Sequence, residues 1–212
     1  MNELKITIVD YGMGNLRSVG NALRRVGSAS TISSDPADVV GADALVLPGV
    51  GAFGEAMRNL EAAGLDHAIR SAVDDGVPLL GICLGMQLLA ESSEERGSYR
   101  GLGIVPGHVR RVPAPSLRLP HMGWNTLTFP RPDVLFDGIE PESAFYFVHT
   151  YELEADAGDV IAVSDYGGSV VSAVRRGHVA ATQFHPERSQ TKGILLLGNF
   201  VRSVHAGASA RC

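Results

Sequence analysis

The fold is decided by the stretch Leu79-Leu80-Gly81-Ile82-Cys83-Leu84-Gly85-Met86-Gln87-Leu88-Leu89. Its apolar residues up to Ile82 form a short continuous run, which is typical of a strand buried on both faces of a parallel sheet. After Cys83 the apolar positions take the spacing of a helix. The sequence therefore predicts a buried strand that turns at Cys83 directly into a helix.

Two glycines flank Cys83 at equal distance. Gly81 and Gly85 give the pattern Gly-x-Cys-x-Gly, which is the nucleophile elbow with sulfur in place of oxygen. So tight a turn leaves no room for a Cβ atom, and the start of a helix favours a thiolate over a thiol. We interpret Cys83 as a nucleophile. A small buried apolar side chain, common for a free cysteine, is the alternative interpretation.

Strands and helices alternate on the N-terminal side of this stretch. Short apolar runs predict strands at residues 5–9, 29–32 and 43–47, and segments with helical spacing separate them. This order predicts an α/β fold, an open, mostly parallel twisted sheet with helices on both faces. Reactive groups in such a sheet collect at the carboxyl ends of the strands. Residues 48–51 and Cys83 both follow predicted strands, so we expect them to lie close together.

The C-terminal side of the stretch is richer in proline and in short strands. Strands are predicted at residues 144–153, 160–164, 169–174 and 179–184, and a helix at residues 189–204. We therefore expect an added β-rich segment in this half. Because no linker interrupts the sequence, residues 1–204 are predicted to form one domain, followed by a disordered tail at residues 205–212.

A second reactive pair follows the last predicted strand. His185 and Glu187 lie two residues apart in Gln-Phe-His-Pro-Glu, so an extended backbone would project both side chains to one side. A histidine that takes a proton from a thiol needs a group that holds its ring, and a carboxylate can do this. A solvated ion pair and half a metal site are the alternatives. The metal interpretation lacks a third ligand at usable spacing, so no metal is expected.

Composition and charge exclude several classes of function. The 212-residue chain carries a net charge of −5 and no basic run, which argues against a nucleic-acid partner. No apolar stretch approaches the ~20 residues of a membrane span, and the first residues lack the apolar core of a signal peptide. The two cysteines, Cys83 and Cys212, do not form a disulfide framework, and we expect no role for Cys212. These features predict a cytoplasmic protein without membrane contact.

A glycine pair after the first strand is tempting as a dinucleotide site. Gly12 and Gly14 match the start of that fingerprint, but the next required glycine is replaced by Arg17. We reject a dinucleotide site and expect no cofactor.

The two reactive motifs together resemble those of class I glutamine amidotransferases, the Cys-His-Glu glutaminases. The resemblance is carried by GICLGMQ at residues 81–87, QFHPE at residues 183–187 and PGVG at residues 48–51. Three further stretches, VDYGMGNL (9–16), PHMGWN (120–125) and YFVHTY (146–151), narrow it to glutaminase subunits that serve histidine biosynthesis. The match runs from about residue 6 to residue 200.

This resemblance implies specific roles for the reactive residues. Cys83 would be the nucleophile, His185 the general base and acid, and Glu187 the carboxylate that orients it. The backbone N–H groups of Val50 and Leu84 would stabilise the oxyanion. Glycines on both sides of Val50 would let its peptide rotate, and the resemblance implies that this rotation couples glutamine hydrolysis to an occupied partner subunit.

The resemblance also implies a substrate and a partner. Glutamine would be held through residues near the elbow and in the β-rich half: Gly51, Gln87, Glu95, Thr150 and Tyr151. The partner would be a separate (β/α)8-barrel cyclase subunit that receives the ammonia in a heterodimer. Its contact surface is predicted to include Asn15, Trp124 and Tyr146, whereas His121 and His149 are interpreted as structural.

Three alternatives stay open at this point. The chain could be the glutaminase subunit of another amidotransferase, although the stretches around Trp124 and His149 argue against it. It could be a free-standing cysteine hydrolase of peptides or γ-glutamyl compounds, which would be active alone. A non-catalytic binding subunit would be expected to lack one of Cys83, His185 and Glu187, and all three are present.

Overall fold

The computed structural model describes residues 4–209, and the side chains of residues 4–207. Cys212 lies outside the described residues. The first half alternates strands and helices: β1 (Ile6–Val9), α1 (Leu16–Arg25), β2 (Ser30–Ser33), α2 (Pro36–Val40), β3 (Ala44–Gly49), α3 (Phe53–Ala62), α4 (Leu65–Asp74), β4 (Leu79–Cys83) and α5 (Leu84–Leu88).

The second half is mostly β. Its elements are β5 (Ser92–Ser93), β6 (Tyr99–Arg100), β7 (Gly107–Arg111), β8 (His121–Thr126), a 3-10 turn (Val134–Phe136), β9 (Ala144–His149), β10 (Tyr151–Ala155), β11 (Val160–Asp165), β12 (Ser169–Arg176), β13 (Val179–Thr182), a second 3-10 turn (Pro186–Arg188) and α6 (Gln190–Ser209).

A seven-stranded sheet forms the centre of the molecule, in the order β11-β12-β13-β4-β3-β1-β2. The five strands from β13 to β2 are parallel, and β12 and β11 extend the sheet in antiparallel fashion. Strand β4, which ends at Cys83, lies between β3 and β13. The predicted mostly parallel sheet is therefore confirmed, and the elbow lies at its centre.

Helices cover both faces of this sheet, as predicted. Alternate residues of the strands point to opposite faces, so Leu45 and Leu47 of β3 pack with α3, α4 and α5, whereas Ala44 and Val46 pack with α1 and α6. Each face thus has its own apolar core.

Two smaller sheets form the added β-rich segment. A four-stranded sheet has the order β10-β7-β5-β6, and β8 and β9 form a separate two-stranded ribbon. The predicted single strand at residues 144–153 is wrong, because the chain leaves the ribbon after His149 and pairs Tyr151 with Arg111 in the other sheet. Thr150 lies at this crossing, which brings it to the mouth of the site.

The structure differs from the sequence prediction in two helices. Helix α3 was not predicted, although Phe53, Ala56, Met57 and Leu60 recur at helical spacing and are buried. Helix α6 continues five residues beyond the predicted end at residue 204, so residues 205–209 are helical where a disordered tail was expected. None of the helices within residues 4–209 combines the length and apolar character needed to cross a membrane.

Candidate active site

The elbow at Cys83 is a sharp turn with an unusual backbone conformation. Cys83 has φ 56° and ψ −109°, and it stands between β4 and α5. A Cβ atom on Gly85 would lie 1.7 Å from the carbonyl oxygen of Leu47, and one on Gly81 would lie 3.0 Å from the carbonyl oxygen of Gly85. Strand β3 therefore approaches the elbow so closely that glycine is required at residue 85. This contact sets Cys83 directly beside the end of β3.

The neighbouring strand β13 brings His185 to the same edge of the sheet. Thr182 at the end of β13 pairs with Ile82, one residue before the nucleophile candidate. The chain is fixed beyond that point, because the His185 N–H donates to the carbonyl of Tyr146 at 2.9 Å and the Ser189 hydroxyl donates to the His185 carbonyl at 2.6 Å.

His185 and Glu187 form the predicted pair. Nδ1 of His185 lies 2.9 Å from Oε1 of Glu187, and both side chains are buried. The predicted contact is present, but the reason given for it is wrong. Residues 186–188 form a 3-10 turn instead of an extended segment, and it is this turn that returns the Glu187 carboxylate to the imidazole ring.

Electrostatics favour the protonated form of His185. Burial lowers its pKa, but Cys83 and the Glu187 carboxylate raise it more strongly, to about 10. The Nε2 atom is buried and has no hydrogen-bond partner among residues 4–209. Because Nδ1 faces the Glu187 carboxylate, Nε2 is the ring atom left to exchange a proton in the site.

A cavity of about 370 Å³ opens at this edge of the sheet. Nine of the residues that line it were predicted from the sequence to take part in catalysis or substrate binding: Val50, Gly51, Cys83, Leu84, Gln87, Glu95, Thr150, Tyr151 and His185. Pro120, Val148 and His149 complete the lining. The first two were missed as site residues, although both lie within the stretches that carried the family resemblance. His149 was taken as structural.

Two of the predicted substrate-binding side chains are already engaged within the protein. The Gln87 amide donates to the carbonyl of Tyr151 at 2.8 Å and to Oε1 of Gln183 at 3.0 Å. The Glu95 carboxylate accepts the N–H of Phe53 at 2.7 Å, which fixes the start of α3. Both residues thus shape the walls of the cavity.

The loop after β3 is held from one side by Tyr11. Its buried hydroxyl donates to the carbonyl of Pro48 at 2.9 Å. Burial raises the pKa of this phenol well above its usual range, and the nearby Cys83 adds to the effect, so the hydroxyl stays a donor. Val50 itself is 43% exposed, and Gly51 has φ 100°.

Two of the three residues predicted to contact a partner lie next to each other. Trp124 and Tyr146 pair across β8 and β9, and their rings meet edge to face at 6.1 Å. The indole is 50% exposed, and the Arg188 guanidinium lies 4.3 Å above the Tyr146 ring. Asn15 lies at the start of α1, which contacts the 186–188 turn.

His121 and His149 are hydrogen-bonded to each other inside the ribbon. Nδ1 of His149 lies 2.9 Å from the Tyr151 carbonyl, which can only accept, so Nδ1 carries the proton. Nε2 of His149 then accepts from Nδ1 of His121 at 2.9 Å. No group of three or more side chains suited to a metal ion occurs within residues 4–209.

Comparison with known proteins shows the family to which the chain belongs. The family model for glutamine amidotransferase class-I matches residues 7–204. The chain belongs to this family. Cys83, His185 and Glu187 all lie within the matched residues.

Individual relatives within this family include subunits of one particular enzyme. The imidazole glycerol phosphate synthase subunit HisH of Moorella thermoacetica is 48% identical over 204 residues, which cover 95% of this chain and 97% of the relative. The same subunit of Symbiobacterium thermophilum is 50% identical over 201 residues, covering 94% of each chain.

Solved structures agree on the fold. A glutamine amidotransferase superposes with a TM-score of 0.74 at 23% identity, covering 94% of this chain and 98% of that one. PurLQS from Thermotoga maritima superposes with a TM-score of 0.74 at 19% identity, covering 96% and 100%. At these identities the likeness concerns the fold alone.

Proposed function

We propose that this class I glutamine amidotransferase is the glutaminase subunit of an imidazole glycerol phosphate synthase. The observation that carries the proposal is that Cys83 and His185 line one cavity, with Glu187 held 2.9 Å from the imidazole. Relatives with 48–50% identity over nearly the whole chain, each named as such a subunit, support the same assignment.

The reaction begins with attack of the Cys83 thiolate on the side-chain amide carbon of glutamine. A C–S bond forms and the carbonyl oxygen takes the electron pair. His185 then gives its Nε2 proton to the amino group, the C–N bond breaks, and ammonia leaves. What remains is a γ-glutamyl thioester and a neutral imidazole that is still oriented by Glu187.

Hydrolysis of the thioester restores the enzyme. His185 takes a proton from water while the water oxygen attacks the thioester carbon. The second tetrahedral intermediate then re-forms its carbonyl group and breaks the C–S bond, which frees the Cys83 thiolate; the γ-carboxyl group gives its proton to solvent and glutamate leaves. The raised pKa of His185 favours the imidazolium in the resting site, which is the acid of the first step and the form that the second step restores.

The backbone N–H groups of Val50 and Leu84 are proposed to stabilise the oxyanion in both steps. Both residues border the cavity next to Cys83. Removal of one such donor lowers the rate by about 10²–10³. Gly49 and Gly51 flank Val50, so we propose that its peptide rotates between an inactive and an active orientation.

Substrate glutamine is proposed to lie between Gly51, Gln87 and Glu95 on one side and the backbone of Thr150 and Tyr151 on the other. Because both Gln87 amide hydrogens are already used, we expect this residue to contribute its shape and its oxygen to the cavity, with no free donor.

The partner is proposed to be a (β/α)8-barrel cyclase subunit that forms a heterodimer with this chain. It would combine the ammonia with a phosphoribulosyl-formimino carboxamide nucleotide to give imidazole glycerol phosphate and an aminoimidazole carboxamide ribotide. Trp124, Tyr146 and Asn15 are proposed as contacts, supported by the exposure of Trp124. A cytoplasmic location and a single domain over residues 1–204 belong to the same proposal.

The test is glutamine hydrolysis by the chain alone, with the cyclase subunit, and with the cyclase and its nucleotide ligand. We expect slow turnover by the chain alone and a rise of about 10²–10³ in the complete mixture, because the partner and ligand favour the inward orientation of Val50. Full activity of the chain alone would instead favour a free-standing hydrolase. No glutamine turnover in any mixture would contradict the proposal.

A further inference from the structure

Gln183 touches the sulfur of Cys83, although it does not border the cavity. Its Nε2 atom lies 3.8 Å from Sγ, and its side chain is fully buried. It lies directly after β13, next to the strand that carries the nucleophile. A buried side-chain amide is therefore in contact with the sulfur atom that we propose as the nucleophile.

The orientation of the Gln183 amide follows from a series of hydrogen bonds that begins at the backbone carbonyl of Tyr151. The Tyr151 oxygen can only accept, so the Gln87 amide must turn its NH₂ group toward it, at 2.8 Å. The same NH₂ group lies 3.0 Å from Gln183, which must therefore present its oxygen. The NH₂ group of Gln183 is then directed at Cys83. A flip of Gln87 would set its oxygen against two acceptors, and a flip of Gln183 would set its NH₂ group against the NH₂ group of Gln87.

The Tyr151 carbonyl, at which this series of hydrogen bonds begins, is itself held in place. The Tyr151 carbonyl also receives the Nδ1 proton of His149 at 2.9 Å. Two donors from different elements thus hold one oxygen, so the amides of Gln87 and Gln183 have a single consistent arrangement.

A second group competes for the same sulfur. The carbonyl oxygen of Val148 lies 3.9 Å from Sγ and can only accept, so it favours the protonated thiol. Gln183 can donate to the sulfur, and an N–H donor binds a thiolate more strongly than a thiol. The two contacts act on the Cys83 proton in opposite directions.

We propose that Gln183 is a catalytic residue that stabilises the Cys83 thiolate, with Gln87 setting its orientation. The proposal deepens the function proposed above and rests on Cys83 as the nucleophile. The donor would act twice in each turnover, on the attacking thiolate and again on the thiolate that leaves the thioester.

The test measures alkylation of Cys83 by iodoacetamide as a function of pH, in full-length protein with Cys212→Ser to remove the second thiol. In Gln183→Met we expect the midpoint of the pH–rate curve to rise by about one unit, and the rate below the midpoint to fall about tenfold. The Val148 carbonyl then acts on the thiol without an opposing amide, whereas His185 and the Tyr11 phenol, which also interact with Cys83, are the same in every variant. An unchanged midpoint would overturn the proposal.

Two further variants make the test specific. Gln87→Leu leaves Gln183 in place but frees its orientation, so we expect a smaller shift in the same direction; no shift would contradict the orienting role. This variant also serves if Gln183→Met does not fold. Thr182→Val removes an equally buried hydrogen bond, from its hydroxyl to the Phe184 carbonyl at 3.0 Å, and should leave the midpoint unchanged. A shift as large as that of Gln183→Met would overturn the proposal.

The readout needs no glutamine, so the two proposals can fail separately. A shifted midpoint in a protein that never hydrolyses glutamine would reject the proposed function alone. Normal glutamine hydrolysis with an unshifted midpoint would reject the role of Gln183 alone.

Discussion

At the scale of single residues, the site depends on backbone positions that tolerate little change. Gly85 is the clearest case, because β3 passes the elbow at a distance that only a hydrogen atom allows. The pattern Gly-x-Cys-x-Gly predicted a tight turn, and the structure identifies the Leu47 carbonyl as the group that requires it.

Gly85→Ala should destabilise the protein by at least about 2–3 kcal/mol, since its Cβ would meet backbone atoms that have no room to move. Denaturant unfolding measures the change. Gly158→Ala is the control, because its Cβ would meet nothing within 4 Å and should change stability by less than about 0.5 kcal/mol. Equal stability of the two variants would contradict the close approach.

His185→Ala should impair glutamine hydrolysis more than Glu187→Gln. Loss of a catalytic base lowers kcat by about 10⁶ in a comparable triad, and loss of the orienting carboxylate by about 10⁴. Steady-state kinetics in the presence of the cyclase and its ligand measure both. Equal losses would indicate that Glu187 does more than orient the ring through the 2.9 Å contact.

Cys83, His185 and Glu187 could be proposed as the reactive residues from the sequence, because each lies in a short local motif. Pro120 and Val148 were missed as cavity residues, and Gln183 as a sulfur contact, because their contacts join distant segments. No spacing along the chain indicates that Gln183 meets a sulfur 100 residues away.

At the scale of elements, the β8–β9 ribbon carries two buried histidines that must stay neutral. Burial lowers the pKa of His121 to about 4. Burial and the charges of His121 and His185 lower that of His149 to about 3, against a raising effect of the Tyr151 carbonyl. In the unfolded chain both would titrate near 6.5.

Stability should therefore fall as the pH drops from about 6.5 towards 4, where the unfolded chain binds protons that the native ribbon does not. Between pH 7 and pH 5 we expect the wild type to lose about 1–2 kcal/mol more than His121→Phe, which keeps the stacking against Phe147 and Tyr166 but cannot titrate. Comparing the two proteins cancels the contributions of groups that do not interact with His121; the pKa of the neighbouring His149 also changes between them. Parallel pH profiles would contradict a neutral His121.

The parallel half of the fold could be predicted almost element by element, since each strand is a short apolar run and most helices show helical spacing of their apolar residues. In the β-rich half the strands predicted at residues 160–164, 169–174 and 179–184 are present, but the strand predicted at residues 144–153 is wrong. Residues 144–153 show strand character throughout, and only the pairing of Tyr151 with Arg111 reveals that they belong to two sheets. Such long-range pairings leave no local signal in the chain.

At the scale of the whole molecule, the β8–β9 ribbon contributes both to the cavity, through Val148 and His149, and to an exposed apolar surface. Met122 and Trp124 project from one side of β8 with 61% and 50% of their surface exposed, and Val50 is exposed at the cavity. Exposed side chains of this size favour contact with another protein.

Trp124→Ala should weaken binding of the cyclase subunit by about 2 kcal/mol or more, since large aromatic side chains dominate such interfaces. Stability of the isolated chain should change little. Val134→Ala is a suitable control, because Val134 is also about half exposed but belongs to a different element. Similar affinities for all three proteins, measured by calorimetry, would place the interface elsewhere.

The central claim is that the Cys83 thiolate attacks glutamine and that the ammonia released in this reaction serves the active site of a second subunit. The most direct measurement compares product formation by the assembled complex from glutamine and from added ammonia, with the wild type and with Cys83→Ala. The account predicts that the variant loses glutamine-dependent synthesis by about 10⁶ and keeps ammonia-dependent synthesis at the wild-type rate. Retained synthesis from glutamine in Cys83→Ala would contradict it.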